Sequence, residues 1–297
     1  MRLGMNVPLK DAAGQVLDAA GVMARARMIE EAGFDGIWMG DGISPGMTRP
    51  DALMWLLVAA VGTQRVEVGT CILQVPLRNP VELSQRLLTL QALTNGRFSL
   101  GVGAGSTKNN HDSIGVDFDQ RFRLLRQNLI DIRRLCNGET VGVANLNPWP
   151  RAKGGPPIII GAWGSGIWVK RAAEEYDGWM SSAGRTNFKT LADGIQRYRD
   201  FGGRRALIST CLVDLSAPSS VLADDQPFNL RCGPAEAADR LGRAADLGYD
   251  DILLVKANAA HPAPLYEPDF SAEELAAIRA LLPRDTRPRP ERAATLA

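Results

Sequence analysis

Residues 77–106 have the sequence LRNPVELSQRLLTLQALTNGRFSLGVGAGS, which contains a helix with clear start and stop signals. Asn79 suits the N-cap, Pro80 suits the first helical position, and Glu82 lies three residues after the cap. Leucines at helical spacing then form one apolar stripe, which consists of Leu83, Leu87, Leu90 and Leu93. Because Asn95-Gly96 is typical of a helix C-terminus, the pattern predicts a helix that ends just before it.

A short apolar strand follows this helix, from Phe98 to Val102. It leads into Gly103-Ala104-Gly105, where we expect the chain to leave the sheet. Parallel α/β proteins bind their ligands at the carboxyl ends of the strands. This one segment therefore predicts a parallel architecture and the position of a ligand site.

Strand-like and helical stretches alternate along almost the whole chain. The predicted strands are residues 2–7, 36–41, 66–73, 97–102, 157–161, 178–182, 206–215 and 251–256. Eight strand–helix units are the number found in a (β/α)8 TIM barrel, and the even spacing shows no switch point of an open doubly wound sheet, which is the alternative. We therefore expect one α/β domain, a (β/α)8 TIM barrel, over residues 1–283, and a disordered polar tail over 284–297.

Loop insertions at the C-terminal face of the barrel are expected at residues 107–118 and 216–233, because both stretches follow predicted strands. Catalytic and binding residues of TIM barrels come from such loops. The C-terminal face is therefore the part of the barrel where we look for a site.

The bulk composition narrows the class of protein. The net charge is +1, which gives no electrostatic basis for binding nucleic acid or an anionic membrane. The four cysteines form no C-x-x-C pair and, with two histidines, they predict neither a zinc site nor any other metal site. No apolar run has the length of a signal peptide core or of a membrane span, and the scattered cysteines fit a reducing compartment, so we expect a cytoplasmic protein.

Several patches, in order along the chain, resemble the luciferase-like flavin monooxygenase superfamily. They are ARARMIEEAGFDGIWMGD (24–41), GTCILQVPLRNP (69–80), TNGRFSLGVGAG (94–105), PPIIIGAWGSG (156–166), RAAEEYDGWMSSAGR (171–185) and LGYDDILL (247–254). The resemblance implies a (β/α)8 barrel that binds FMN or the deazaflavin F420 at its C-terminal face. It also implies a homodimer.

The first expected cofactor contacts lie in two turns. Gly161, Ala162, Trp163, Gly164 and Ser165 join a strand to a helix, where glycines and free N–H groups can hold a phosphate, although a tight turn with an N-cap serine explains the same residues. Ser182, Ala183 and Arg185 follow the next strand, and the guanidinium can pair with a phosphate or lie in solvent as an ordinary surface arginine.

The second group of expected cofactor contacts lies near the ring. F420-dependent relatives have a non-proline cis peptide at the place of Cys71-Ile72, so the resemblance predicts one here, although a regular buried strand is the simpler interpretation. Gly105, Ser106 and Asn109 follow the GVGAG strand and are expected to contact the flavin. F420-dependent sugar-phosphate dehydrogenases have an acidic proton donor where Ser106 stands and a histidine where Gly42 stands, so this chain departs from their hydride-transfer mechanism.

The catalytic and substrate residues are the least constrained. His111 follows the fourth predicted strand and is the candidate acid–base residue, with a solvated loop histidine as the alternative; His261 follows the eighth strand. Asn6 and Asp41 end the first and second strands and are candidates for contacting substrate, or for bracing the loops.

Three functions are consistent with these residues. The first is a monooxygenase that uses reduced FMN and oxygen on a small organic substrate, with a separate flavin reductase because no G-x-G-x-x-G nucleotide module is evident. The second is F420-dependent hydride transfer, for which Arg185 is the best support. The third is a flavin-binding protein without catalytic turnover.

Overall fold

Eight parallel strands close into a ring in the computed structural model, which describes residues 1–11, 14–43, 48–163, 166–223, 225–257 and 270–287. The ring consists of β1 (Arg2–Asn6), β2 (Gly36–Met39), β3 (Glu67–Thr70), β5 (Phe98–Gly103), β6 (Ile158–Gly161), β7 (Gly178–Ser182), β8 (Ala206–Asp214) and β10 (Asp251–Lys256). Two short strands, β4 (Leu73–Gln74) and β9 (Leu230–Arg231), add to its rim. Because β10 pairs with both β8 and β1, the sheet is a closed (β/α)8 TIM barrel and the open sheet is excluded.

Helices separate the strands and form the outer layer. They are α1 (Ala19–Glu31), α2 (Ala52–Val61), α3 (Pro80–Leu93), α4 (Lys108–Asp112), α5 (Arg121–Asn137), α6 (Ile167–Glu175), α7 (Phe188–Asp200), α8 (Pro234–Asp246) and α9 (Ala272–Arg279). The short α4 lies inside the insertion expected at 107–118, which was predicted only as a loop. No helix within the described ranges is long and apolar enough to cross a membrane.

The start signal of α3 works as the sequence predicts, and two details differ. The Asn79 side chain accepts hydrogen bonds from the backbone N–H groups of Val81 and Glu82. Leu93, expected on the buried stripe, is 57% exposed. The third strand is expected as one run over 66–73, but it stops at Thr70 and resumes at Leu73, and the cis peptide Cys71-Ile72 lies between the two pieces.

The barrel has an outer and an inner core. The outer core fills the space between strands and helices, and the inner core is a small cluster of Trp38, Ile159, Met180, Leu207 and Leu253. Trp38 fills the centre because Gly69 gives it room: a Cβ on Gly69 would lie 2.4 Å from the indole ring. Cys71 and Ile72 pack on top of this inner core, at the C-terminal end. A solid floor therefore underlies the mouth of the barrel.

A buried ionic network closes the opposite, N-terminal end of the barrel. The Arg205 guanidinium donates to both carboxylate oxygens of Glu67, at 2.8 and 2.9 Å, and to both oxygens of Asp251, at 2.9 and 3.0 Å. Arg2 donates to the same Asp251 at 2.8 and 3.0 Å, and Ser99 donates to Glu67. Burial disfavours each charge, but these partners raise the pKa of Arg205 well above its usual value and hold the pKa of Asp251 well below its own. The network joins four strands and stabilises the fold, away from the mouth.

Candidate active site

Ile72 lies half-buried at the C-terminal mouth, on top of the inner core, and we call the part of the mouth bordered by Ile72, Gly103 and Gly161 the recess. The peptide bond between Cys71 and Ile72 is cis, which confirms the bond expected from the resemblance. The Ile72 side chain lies against two glycines at the ends of β5 and β6: an added Cβ on Gly103 would be 2.9 Å from Ile72 Cδ1, and one on Gly161 would be 2.8 Å from Ile72 Cγ2. Any side chain at either glycine would displace Ile72, so the two glycines fix where the Ile72 side chain lies at the mouth.

Asn6 and Cys71 connect the first and third strands at this mouth. The Cys71 thiol donates to the side-chain oxygen of Asn6 over 3.6 Å. Both residues are half-buried and lie beside the recess. The structure therefore brings together the predicted substrate residue Asn6 and the predicted cofactor residue Cys71, and the roles of both stay predictions.

Asp41, the other residue expected to contact substrate, is engaged within the protein. Its carboxylate accepts hydrogen bonds from the Gln74 backbone N–H at 3.0 Å and from Arg78 at 2.8 Å, and its side chain is 4% exposed. These contacts tie the end of β2 to the segment after the cis peptide. The bracing alternative fits this geometry, and the substrate role of Asp41 stays a prediction.

His111 is fully buried, so the alternative of a solvated loop histidine is wrong. Its Nδ1 lies 3.2 Å from the Thr107 carbonyl oxygen, and its Nε2 lies 3.1 Å from the Ala104 carbonyl oxygen. The ring also packs edge-on against Phe118, with the ring centroids 5.1 Å apart. Both ring nitrogens thus face protein carbonyls and fix the chain after β5. The catalytic role of His111 stays a prediction.

Gln74 and Asn110 lie behind the recess, and sequence reasoning did not single them out. The Asn110 amide donates to Gln74 Oε1 at 3.3 Å, and a Cβ on Gly105 would lie 2.4 Å from that same oxygen. Asn110 Oδ1 is buried without a hydrogen-bond partner in the described part of the chain. The sequence feature that could have indicated this pair is Gln74 itself, because it is a polar residue within an apolar run. The two amides position the glycine-rich end of β5.

The predicted phosphate-binding turns lie next to each other. Ala162 is held by a backbone bond to the Met180 carbonyl at 3.0 Å, and its own carbonyl accepts from the Trp179 indole at 2.9 Å. The Arg185 guanidinium lies 5.7 Å from the centre of the Trp163 ring, and both side chains are exposed. Gly164, Ser165 and His261 lie outside the described residues.

The remaining predicted cofactor residues surround the same mouth. Ser106 and Asn109 are exposed just after β5, Ser182 is half-buried at the end of β7, and Ala183 is buried. Across the described ranges, no group of three or more histidine, cysteine, aspartate or glutamate side chains is arranged to hold a metal ion.

These features fit a planar ring cofactor that carries a phosphate. The half-buried Ile72 side chain presents an apolar surface at the mouth, and the glycines at the ends of β5 and β6 make room for that side chain. Exposed Arg185 lies at the neighbouring turn, where its guanidinium can pair with a phosphate in two parallel hydrogen bonds. Apolar walls with a few placed polar groups are typical of cofactor sites.

Comparison with known proteins agrees with this geometry. The model of a family described as luciferase-like monooxygenase matches residues 1–227. The chain belongs to the luciferase-like monooxygenase family. Within this family it is similar to the F420-dependent glucose-6-phosphate dehydrogenase of Kineococcus radiotolerans, at 33% identity over 52% of this chain and 50% of that protein. It is also 30% identical to the Microbacterium testaceum enzyme of that name, over 76% of this chain and 84% of that protein.

Other luciferase-like proteins have different activities in their names. The 4-hydroxyprotoasukamycin monooxygenase of Streptomyces nodosus subsp. asukaensis is 29% identical over 46% of this chain and 39% of that protein. The chain thus spans about half or less of the length of the first curated relatives it matches. Among solved structures, the monooxygenase RslO1 from Streptomyces bottropensis shares the fold, with a TM-score of 0.74, 17% identity and coverage of 95% and 97% of the two chains. A type II Baeyer–Villiger monooxygenase from Pseudomonas putida in complex with FMN also shares it, with a TM-score of 0.70, 15% identity and coverage of 94% and 96%.

Proposed function

We propose that this protein is an oxidoreductase that binds F420 at the barrel mouth and transfers a hydride to or from a small organic substrate. The observation that carries the proposal is the half-buried Ile72 side chain at the mouth, which lies between Gly103 and Gly161 on top of the inner core and offers an apolar surface to one face of a ring. The sequence alone favours FMN. The F420-dependent relatives support the choice of F420 instead.

The residues of this chain would divide the work of holding such a cofactor. Ile72 would support one face of the ring, and Arg185 with the turn at Gly161 would hold the phosphate. The Asp41–Arg78 ion pair and buried His111 would keep the strand ends in place. When bound, the deazaflavin supplies the hydride chemistry, so the protein contributes binding, orientation and exclusion of water.

Glucose 6-phosphate is not the substrate we propose. Ser106 stands where those dehydrogenases have an acidic proton donor, and Gly42 stands where they have a histidine. His111 does not replace either group, because both of its ring nitrogens face carbonyl oxygens of the loop. We therefore propose a small organic substrate other than glucose 6-phosphate.

The second candidate is a monooxygenase that uses reduced FMN and oxygen, with the flavin supplied by a separate reductase. It is supported by the family description, by the monooxygenase relative and by the shared fold of an FMN complex. A flavin-binding protein without turnover has no observation in its favour.

Titration of the purified protein with F420 and with FMN decides between the two candidates. We expect saturable, micromolar binding of F420 and at least tenfold weaker binding of FMN, followed by the fluorescence of each cofactor. Addition of glucose 6-phosphate to the F420 complex should leave the F420 absorbance unchanged. Tighter binding of FMN would favour the monooxygenase, and reduction of F420 by glucose 6-phosphate would contradict the proposed substrate class.

We also propose that the protein forms a homodimer through α2. This helix has the sequence ALMWLLVAAV, with no charged or polar side chain on any face, yet Met54 is 68% and Val61 is 66% exposed. A helix that is apolar all round is normally buried. We expect light scattering to give the mass of a dimer, and the Met54→Glu/Val61→Glu variant to give a monomer. Val143→Glu, at a fully exposed valine elsewhere, is the control and should stay dimeric. A monomeric wild type would contradict the proposal.

We propose a cytoplasmic location as well, because all four cysteines carry thiols rather than disulfides. Fractionation of the native cells tests it, since recovery in the culture medium would contradict a cytoplasmic location.

A further inference from the structure

Thr210 has a backbone conformation that its residue type disfavours. Its φ is +55°, in the left-handed region, although threonine is β-branched and lies within strand β8. A β-branched residue at positive φ is a genuine outlier, and such residues persist only where the surrounding structure holds them. They cluster at binding and catalytic sites. Thr210 is the central residue of β8, and it follows Ser209, which pairs with Ser182 at the C-terminal end of β7.

A bulge in β8 accounts for this conformation and turns Thr210 towards the inside of the barrel. Ile208 pairs with Ile252 and Cys211 pairs with Leu254, so two residues of β8 lie opposite Leu253 alone. Ile208 and Cys211 both belong to the outer core, and Leu253 belongs to the inner core. The two residues between them, Ser209 and Thr210, therefore share the inner side. Without the bulge, Thr210 would face the helices.

The bulge places Thr210 beside the predicted cofactor turn. Ser209 pairs with Ser182 in the sheet, and its hydroxyl donates to the Ser181 carbonyl at 2.9 Å. The Thr210 carbonyl oxygen lies 3.9 Å from the position of a Cβ on Gly184, in the same turn as Arg185. Thr210 is only half-buried, and within the described part of the chain its hydroxyl makes no hydrogen bond. The hydroxyl is thus available at the mouth.

We propose that Thr210 is a further cofactor-binding residue, whose hydroxyl hydrogen-bonds a polar atom of the flavin or deazaflavin bound in the recess above Ile72. A hydroxyl both donates and accepts, so it suits the carbonyl and N–H groups at the edge of such a ring. The inference rests on the proposed function, since it requires a cofactor at this mouth. It explains why the fold keeps threonine where glycine would adopt the backbone conformation without strain.

Equilibrium titration of three variants with F420 and with FMN tests the proposal. Thr210→Val keeps the shape and the β-branch but removes the hydroxyl, and it should weaken binding of the preferred cofactor about 3- to 10-fold. Thr210→Ser keeps the hydroxyl and should bind within about twofold of wild type. Thr210→Gly should also weaken binding, while its Tm should be equal to or above that of wild type. Thr89→Val, at a half-buried threonine of α3 that bonds within its own helix, is the matched control and should bind as wild type does.

The outcomes separate this proposal from the proposed function. If wild type binds neither cofactor, the proposed function fails. If wild type binds and Thr210→Val binds equally well, the role of Thr210 is overturned. Equal losses in Thr210→Val and Thr210→Ser would also overturn it, because the effect would then come from the backbone or from packing rather than from the hydroxyl.

Discussion

Gly161→Ala is expected to weaken binding of the preferred cofactor by about tenfold or more, that is by about 1.4 kcal/mol, because the displaced Ile72 side chain would take space that the ring needs. The overpacking itself lowers the free energy of unfolding by about 1–3 kcal/mol. The new Cβ would lie 2.8 Å from Ile72 Cγ2 and 3.1 Å from the Val102 carbonyl oxygen. The strand backbone is held by the sheet, so the Ile72 side chain must move, and because it packs on the inner core below, we expect it to move outward into the mouth. The measurement is the Kd of F420 and FMN by fluorescence titration, with Tm recorded for each variant.

A second substitution shows whether the loss arises at Ile72. Ile72→Ala removes the atom that the new Cβ meets, so the double variant Gly161→Ala/Ile72→Ala should bind more tightly than the sum of the two single losses implies. Gly242→Ala is the control: a Cβ there, in α8, has no neighbour within 4 Å. It should leave Kd unchanged. Additive losses in the double variant, or an unchanged Kd in Gly161→Ala, would contradict the recess as the cofactor site.

Arg205→Met is expected to lower the free energy of unfolding by about 3–5 kcal/mol at pH 7, because it leaves two buried carboxylates without their shared partner. Ser99 would still donate to Glu67, and Arg2 would still donate to Asp251. Chemical denaturation followed by far-UV circular dichroism measures the loss. Arg204→Met, at the exposed neighbouring arginine, is the control and should cost much less.

The same variant should show a characteristic pH dependence. Attraction to Arg205 and Arg2 overcomes burial and holds the pKa of Asp251 below its usual value, so Asp251 stabilises the fold at pH values above its unfolded pKa of about 3.9. This contribution is lost as the pH falls further, towards the folded pKa. The gap between wild type and Arg205→Met should therefore narrow below about pH 4. A gap that stays constant or widens in acid would show that the loss is not ionic.

The elements that depend on local sequence could be predicted. Asn79 and Pro80 start α3, and Ser271 with Glu274 caps α9, because each signal acts within four residues of the chain. The number of alternating strands and helices predicted the barrel. The structure confirms it, because β10 pairs with β1 and closes the ring of eight strands. The cis bond at Cys71-Ile72 was expected from the family resemblance alone, because nothing in those two residue types favours it.

The side-chain partners of the site could not be predicted in the same way. The sequence around His111 is typical of a surface loop. In the structure, the turn after β5 places two backbone carbonyl oxygens against its ring nitrogens. Asp41 meets Arg78 across 37 positions of the chain, and a single sequence carries no signal for such a pair. The bulge at Thr210 depends on the register between β8 and β10, which is set by packing over the whole barrel. Long-range geometry therefore decides which predicted polar residues face the mouth.

Protection of Cys71 tests most directly that the cofactor lies at this mouth. Cys71 is half-buried beside Ile72, whereas Cys136, Cys211 and Cys232 are buried, and burial raises the pKa of Cys136 to about 12. A small alkylating reagent followed by mass spectrometry should therefore modify Cys71 first. Saturation with the cofactor that binds should slow Cys71 alkylation by about tenfold or more. The cofactor concentration that gives half of this protection should equal the Kd found by fluorescence. Unchanged alkylation at saturation would place the cofactor elsewhere, and no saturable binding of either cofactor would contradict the proposed function itself.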